Sequence, residues 1–143
     1  SVWPTDPDAL ITCPPYWNLE VYSDDPMDLS TAPTYTAFLS SISDVVEHSF
    51  SVLREGALSV WVVGDIRHRK TGELLDFPGD LTRIHQEAGF FLYDKVIYRN
   101  ASPFGASLRS GIFDKTRRTV RQHEYVLVFS RGQGRRLPIV GSL

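Results

Sequence analysis

The sequence predicts a single α/β domain with a mainly parallel sheet and helices on its faces. Apolar runs of strand character alternate with helical patterns along the chain, which is the arrangement of βαβ units. Residues 58–63 are rich in β-branched side chains and almost continuously apolar, as in a parallel strand covered on both faces. A chain of 143 residues, 42% of them hydrophobic, is long enough for one core, and no repeat, linker or low-complexity tract indicates a second domain. We therefore treat residues 1–143 as one domain.

The first strand is predicted at residues 9–12. It ends at Cys13-Pro14-Pro15, because two consecutive prolines remove two backbone donors and cannot continue a central strand. Residues 18–33 are polar and rich in turn residues, which predicts a long surface loop. Ligands of open α/β sheets bind beyond the carboxyl ends of the strands, so the turn after this first strand is a candidate site.

A helix is predicted from Tyr35 to Arg54, where apolar residues recur at a spacing near that of the α-helix. Thr34 or Thr36 is suited to cap its start, and Gly56 is suited to stop it. The apolar strand follows and ends at Gly64-Asp65. The remaining predicted elements are a polar loop at 66–78, a helix at 79–88 that ends at Gly89, a strand at 90–99, a basic loop at 100–122 and a last strand at 125–129.

Cysteine content and hydropathy narrow the possible classes of protein. The single cysteine, Cys13, cannot form an intrachain disulfide, and no zinc-ligand spacing is present, so no metal site is expected. The longest apolar stretch, 57–64, is far shorter than the roughly 20 residues of a membrane span, and no signal peptide opens the chain. These features predict a cytoplasmic protein without a membrane partner. Because Ser1 lies only a few residues before a strand, we expect a piece of a longer protein.

Charge is distributed unevenly along the chain. Residues 1–66 contain one basic and ten acidic residues, whereas residues 101–143 contain eight basic and two acidic residues. A basic segment can neutralise phosphates, which is the sequence-independent part of nucleic-acid binding, or it can be a solvated loop. A shorter basic loop at residues 67–70 has the same two interpretations, phosphate binding or a solvated surface. The candidate phosphate-binding residues are Arg67, Arg69 and Lys70 in the shorter loop, and Arg109, Lys115, Arg117, Arg118 and Arg121 in the C-terminal segment.

The turn after the first strand carries a recognisable motif. Thr12-Cys13-Pro14-Pro15-Tyr16 resembles the Asp/Asn/Ser-Pro-Pro-Tyr signature of S-adenosyl-L-methionine-dependent methyltransferases that modify exocyclic amino groups, chiefly N6 of adenine and N4 of cytosine in DNA. The context is also similar, because a helix and an apolar strand follow the signature and residues 123–130 resemble a late strand of that family. Residues 13–30 look especially like phage and prophage DNA methylases.

The resemblance spans nearly the whole chain and has implications for fold and function. It implies a partial Rossmann-like methyltransferase sheet that is mainly parallel with a late antiparallel strand. It also implies S-adenosyl-L-methionine as the cofactor and DNA as the partner. DNA methylation within restriction-modification, in a bacterial or phage-infected cell, is the process that the resemblance suggests.

The resemblance assigns roles to Cys13, Pro14, Pro15 and Tyr16. An exocyclic amine is a weak nucleophile that a duplex conceals, so such enzymes flip the base and align its amine with the donor methyl. The two prolines fix the Pro14 carbonyl, which accepts a hydrogen bond from the amine, and Tyr16 stacks on the base. Position 13 accepts the second amine hydrogen, a role for which Cys13 is poorer than Asp, Asn or Ser. Transfer is direct, so Cys13 is not expected to be a nucleophile.

Further candidates flank the turn. Trp17, Glu20, Tyr22 and Asp24 follow it and are candidates for lining the base pocket or covering the methyl donor, with an exposed loop as the alternative. Asp65 follows the apolar strand at the same predicted edge of the sheet and is a candidate cofactor contact, with capping of the next turn as the alternative.

Two features of the family are missing from the sequence: a Phe-x-Gly-x-Gly loop and an acidic residue at the end of the next strand. We therefore expect the catalytic and base-binding half of a methyltransferase domain, with the cofactor half supplied by a missing segment or a second chain. An uncovered strand edge and apolar face would favour self-association or such a partner. Two other functions remain open: a noncatalytic nucleic-acid-binding module, and an RNA or protein-glutamine methyltransferase.

Overall fold

A computed structural model describes residues 5–19, 21–25, 27–99, 115, 117 and 123–132 of the chain. One-turn 3-10 helices lie at Trp17–Leu19 and Leu29–Thr31, in the segment predicted as a loop. The α-helices are Tyr35–Val52 (α1) and Phe77–Ala88 (α2). The strands are Ala9–Thr12 (β1), Leu58–Val63 (β2), Ile66–Arg67 (β3), Leu74–Leu75 (β4), Phe91–Arg99 (β5) and His123–Ser130 (β6).

The main sheet has the strand order β1-β2-β6-β5. Strand β1 pairs with β2 in parallel, and β6 pairs antiparallel with both β2 and β5. Within this sheet β1, β2 and β5 therefore point the same way, and β6 runs against them. This arrangement confirms the predicted α/β class and the late antiparallel strand: three of these four strands point the same way, and one of the three pairings is parallel.

Both helices pack on one face of the main sheet. Phe38 and Ile42 of α1 and Leu81 of α2 form one buried cluster with Trp61 of β2 and Phe129 of β6. Among the described residues β2 is covered fully on one face only, which differs from the prediction of cover on both faces. Its residues alternate between buried and partly buried, because α1 and α2 pack on the same side of the sheet. On the edge strand β1, the side chain of Ile11 is 75% exposed.

Helix α1 begins where the sequence predicts, and Thr34 is its cap. The Thr34 hydroxyl accepts a hydrogen bond from the Ala37 amide at 3.1 Å, which satisfies a free donor of the first turn. The helix ends at Val52, two residues before the predicted end. Leu53 leaves the helix in an extended conformation and its side chain enters the core, so the chain turns away before Gly56 is reached.

Helix α2 begins at Phe77, two residues before the predicted start. The Asp76 carboxylate accepts a hydrogen bond from the Gly79 amide at 3.0 Å, and Pro78 is tolerated because the first turn needs no amide donor there. The helix ends at Gly89 as predicted. The preceding segment, predicted as a polar loop, contains the small antiparallel pair β3–β4.

Strand β6 is longer at both ends than the predicted strand at 125–129, and β5 begins one residue after its predicted start. Of the predicted basic loop at 100–122, only Lys115 and Arg117 lie within the described residues. Neither described α-helix is long and apolar enough to cross a membrane.

Candidate functional site

Three segments that are distant in sequence meet at one edge of the main sheet. The parallel strands β1 and β2 both end there, and β6 begins there because it runs the opposite way; the register pairs Thr12 with Trp61 and Val63 with Tyr125. The edge therefore carries the turn after β1, the Gly64-Asp65 pair after β2 and the first residues of β6. This is the position at which open α/β sheets bind their ligands.

The turn after β1 places its four residues in different environments. Cys13 is exposed, Pro14 is buried, and Pro15 and Tyr16 are partly buried. Two consecutive prolines restrict the backbone of this turn, and the burial of Pro14 restricts it further. The turn therefore carries an exposed cysteine and a partly buried aromatic ring on a stiff segment, and the role of the Pro14 carbonyl remains a prediction.

The Tyr16 side chain is held by the start of β6. Its hydroxyl donates a hydrogen bond to Glu124 Oε1 at 3.1 Å. Burial raises the pKa of the Tyr16 phenol above its ordinary value, the neighbouring Glu124 carboxylate raises it further, and a backbone hydrogen bond from Gly64 acts in the opposite direction. The phenol therefore stays protonated and is contacted from both β2 and β6.

Sequence reasoning did not single out Glu124. Two signals were available: it is a carboxylate near the start of an otherwise apolar strand, and an antiparallel last strand brings that start to the carboxyl edge of β1 and β2. The resemblance implied a late antiparallel strand, but its pairing with β2 was not predicted, so the second signal was not used.

Trp17 is only 3% exposed and belongs to the core, so it is not part of an exposed loop, and its predicted contact with a base or cofactor remains a prediction. Its indole Nε1 donates to the Ala32 carbonyl at 3.0 Å, and its ring contacts Tyr35 and His68. These contacts hold the Trp17 backbone at a φ of +48°, a conformation that is costly for a bulky residue. Trp17 therefore anchors the chain immediately after Tyr16.

The loop that follows is ordered by Asp28. Its carboxylate accepts hydrogen bonds from the Ser30 amide and hydroxyl at 2.8 and 2.7 Å and from the Ser23 hydroxyl at 2.9 Å. These bonds, led by those from Ser30, lower the pKa of Asp28. Tyr22 and Asp24 are exposed beside this cluster. Their predicted contact with a base or cofactor remains a prediction, and Glu20 lies outside the described residues.

Two of the three candidate residues in the short basic loop donate to backbone carbonyls, Arg67 within the β3–β4 hairpin and Arg69 to the segment after the turn. Arg67 Nη1 donates to the Gly72 carbonyl at 2.8 Å, and the Arg69 guanidinium donates to the Leu19 carbonyl, just beyond Tyr16 and Trp17. Lys70 is exposed. The loop therefore packs next to the turn, and its contact with phosphate remains a prediction.

The other predicted site residues are only partly described. Asp65 is partly buried directly after β2, at the edge that carries Tyr16. Lys115 and Arg117 are exposed, and Arg109, Arg118 and Arg121 lie outside the described residues. Within the described part of the chain, no three His, Cys, Asp or Glu side chains are grouped so that they could hold a metal ion.

A cavity of about 240 Å³ lies beside the turn, on the side of β1 that faces α1. Residues 13–15 form one wall, and its other walls are mainly apolar, with Leu10, Ile42 and Trp61 among them. Pockets for drug-sized ligands begin at about 300 Å³, so this space suits one heterocyclic base or a group of similar size.

No protein-family model matches the chain. In sequence it is similar to the orphan methyltransferase M.BamHII from Bacillus amyloliquefaciens, with 27% identity over 126 residues, which are 88% of this chain and 39% of the relative. The chain thus spans well under half the length of that relative.

Solved structures share the fold. TTHA0409 from Thermus thermophilus, described as a DNA modification methylase, matches with a TM-score of 0.67 and 22% identity over 96% of this chain and 50% of that one. The structure of TTHA0409 in complex with S-adenosyl-L-methionine gives a TM-score of 0.65 at 23% identity over 96% and 53% of the two chains. The cytosine-N4-specific PvuII DNA methyltransferase gives a TM-score of 0.63 at 14% identity over 92% and 45%. The resemblance predicted from the Pro-Pro-Tyr turn is confirmed: the chain is similar in sequence to a methyltransferase and shares the fold of TTHA0409 and PvuII DNA methyltransferase.

Proposed function

We propose that this chain is the catalytic and base-binding part of a DNA methyltransferase, which transfers a methyl group from S-adenosyl-L-methionine to an exocyclic amine of adenine or cytosine. The observation that carries the proposal is the Pro-Pro-Tyr turn at the sheet edge where β1, β2 and β6 meet, with Tyr16 bonded to Glu124. The sequence relative M.BamHII and the shared fold of TTHA0409 and PvuII methyltransferase support it.

The chemistry of the turn follows from the weakness of an exocyclic amine as a nucleophile. The lone pair of the amine is delocalised into the ring, so the enzyme must hold the amine with its lone pair aimed at the methyl carbon. The Pro14 carbonyl, fixed by two prolines, accepts one amine hydrogen and turns the lone pair toward the donor. Tyr16 stacks on the flipped base, a contact worth roughly 1–3 kcal/mol. Cys13 lies beside the second amine hydrogen and accepts it weakly.

The described residues fit one side of the cofactor. The apolar cavity beside residues 13–15 has room for a base-sized group, and the Asp65 carboxylate lies at the same edge. When bound, S-adenosyl-L-methionine supplies an electrophilic methyl group. Because the sequence contains no Phe-x-Gly-x-Gly loop, we propose that the other side of the cofactor site comes from a further segment or a second chain, which also covers the open edge of β1.

We also propose that DNA is the partner, contacted through the basic C-terminal segment and the loop at 67–70. The proposal places the protein in the cytoplasm, in bacterial or phage restriction-modification. Self-association through the uncovered sheet face is an alternative way of completing the fold.

The direct test is transfer of a radiolabelled methyl group from S-adenosyl-L-methionine to DNA by the intact protein. Tyr16→Ala should lower transfer by roughly tenfold or more because it removes the stacking contact. Pro14→Ala should also lower transfer, since the carbonyl loses its fixed position. Equal transfer by both variants and the wild type would contradict the site assignment, and labelling of RNA or protein glutamine in place of DNA would change the substrate class.

A noncatalytic nucleic-acid-binding module is the second candidate, and the exposed Cys13 favours it, because a thiol replaces the oxygen acceptor of the family signature. Calorimetry on the intact protein separates the two functions. Binding of DNA without any binding of S-adenosyl-L-methionine would support the module and contradict the methyltransferase.

A further inference from the structure

We propose that Glu124 is a positioning residue for methyl transfer: its carboxylate fixes the Tyr16 ring in the orientation that stacks on the target base. The inference rests on the proposed function and adds a residue to it. Glu124 does not touch the reacting atoms, so its effect on catalysis passes through Tyr16.

The backbone and the phenol of Tyr16 are restrained by separate parts of the molecule. Pro14 and Pro15 limit where the Tyr16 backbone lies, and the buried Trp17 fixes the chain on the other side. These restraints leave the side-chain torsions of the tyrosine free. The hydrogen bond to Glu124 at 3.1 Å restrains those torsions from the far end of the ring.

Packing around the pair supports this role. A Cβ atom at Gly64 would lie 3.7 Å from Glu124 Cγ and 3.8 Å from the Tyr16 hydroxyl, so the pair sits directly over the end of β2. The Gly64 backbone contributes a hydrogen bond to the same phenol. A partly buried carboxylate is costly unless it is paired, and a hydrogen bond to a charged acceptor is stronger than a neutral one.

A ring that is oriented before the base arrives loses less entropy when the base stacks on it. A freely rotating Tyr16 would still offer the same apolar area, but it would hold the base in the reactive alignment for a smaller fraction of the time. Loss of Glu124 should therefore lower the turnover number more than it weakens DNA binding.

The experiment measures methyl transfer to DNA by the intact protein with Glu124→Ala, Glu124→Gln, Tyr16→Phe and the Glu124→Ala/Tyr16→Phe double variant. We expect kcat to fall about tenfold in Glu124→Ala and in Tyr16→Phe, with KM for DNA changed less than about threefold. The double variant should be no slower than either single variant, because both remove the same bond. Glu124→Gln keeps an oxygen acceptor and should retain most of the activity.

Tyr35→Phe is the matched control, since it keeps the ring and removes a hydroxyl that donates to Asp80 Oδ2 at 2.8 Å, a bond between α1 and α2 that does not involve Glu124. It should reduce stability without lowering kcat. Nuclear magnetic resonance of protein labelled with ¹³C-tyrosine gives a measurement that does not depend on methyl transfer. The signal of the Tyr16 ring is assigned because it is missing from the spectrum of Tyr16→Phe. We expect this ring to flip faster in Glu124→Ala than in the wild type.

The outcomes separate this inference from the proposed function. An active wild type with wild-type kcat in Glu124→Ala contradicts the inference alone, as does an equal loss in Tyr35→Phe. A wild type that transfers no methyl group contradicts both. If Glu124→Ala does not fold, Glu124→Gln and Tyr16→Phe decide: full activity in Tyr16→Phe overturns the inference.

Discussion

His85 is a fully buried histidine whose two ring nitrogens have different partners. Its Nδ1 lies 2.9 Å from the Leu81 carbonyl and must be the donor, so Nε2 is left to accept from the Ser59 hydroxyl at 3.5 Å. Ser59 in turn accepts from Trp61 Nε1 at 2.7 Å, and the imidazole stacks on Phe129 at 3.8 Å between ring centres. The neutral ring therefore satisfies this network, and burial away from water disfavours the protonated form.

Acid should destabilise the protein through His85. Burial lowers its pKa from 6.5 to about 4. Between pH 6.5 and about pH 4, the imidazole is protonated in the unfolded chain but neutral in the folded chain. The free energy of unfolding therefore falls as the pH is lowered through this range. The loss reaches about 3 kcal/mol at pH 4, while above pH 6.5 the group has no effect.

Urea unfolding at pH 7.5, 6.0 and 5.0 measures this dependence. His85→Gln should be less stable at pH 7.5 but should show a flatter decline toward pH 5.0, because it removes the titrating imidazole. An unchanged slope in His85→Gln would mean that other groups cause the acid sensitivity.

At the scale of elements, the junction between α2 and β5 depends on Gly89. Its φ is +106°, and a Cβ atom there would lie 3.0 Å from Phe50 Cζ. The Phe50 ring packs edge-on against Phe90 at 5.0 Å between centres, so it cannot move aside without disturbing a second aromatic residue. Both backbone conformation and space therefore require glycine at this position.

Gly89→Ala should lower the free energy of unfolding by about 2 kcal/mol, through backbone strain and crowding together. Gly56→Ala is the control, because Gly56 has a φ of +77° but the nearest atom to an added Cβ is 4.0 Å away. It should cost about 1 kcal/mol from the backbone alone. Equal losses in the two variants, measured by urea unfolding, would show that the contact with Phe50 contributes nothing.

The elements that could be predicted are those encoded by local pattern. Helix α1 and strand β2 start as predicted because periodic apolar residues and the Thr34 cap act within a few residues. The burial of Trp17 could not be predicted, since its partners Ala32, Tyr35 and His68 come from elements whose packing is not local. The Tyr16–Glu124 bond was missed for the same reason, whereas the turn itself was found because its residues are contiguous.

At the scale of the whole molecule, charge is segregated along the chain. The acidic half contributes β1, α1 and β2, while five basic residues fall between positions 109 and 121. Lys115 and Arg117 are exposed. An acidic body with a basic segment is suited to binding a polyanion in one orientation, because the phosphates are attracted by one part and repelled by the other.

Affinity for duplex DNA should therefore depend on salt. If about four phosphates are neutralised, log K should fall with log salt at a slope of about −3 to −4, and replacing Arg117 and Arg118 with Gln should reduce that slope by nearly two. The loss should be similar for all DNA sequences, because phosphate contacts carry no base identity. Arg83→Gln, on α2 beside Asp80 and Glu87, is the control and should leave the slope unchanged. An unchanged slope in the double variant would make the segment a solvated loop.

The antiparallel direction of β6 has a consequence for the order in which the molecule folds. Tyr16 and Glu124 are 108 residues apart, so their bond closes one of the longest loops available in the chain. Closing such a loop costs entropy that is repaid only after β6 has paired with β2. A chain emerging from the ribosome would build the turn and α1 early and would fix the tyrosine late. The site thus forms only when β6 has paired, and a chain that ends before β6 would keep the motif without the geometry that orients it.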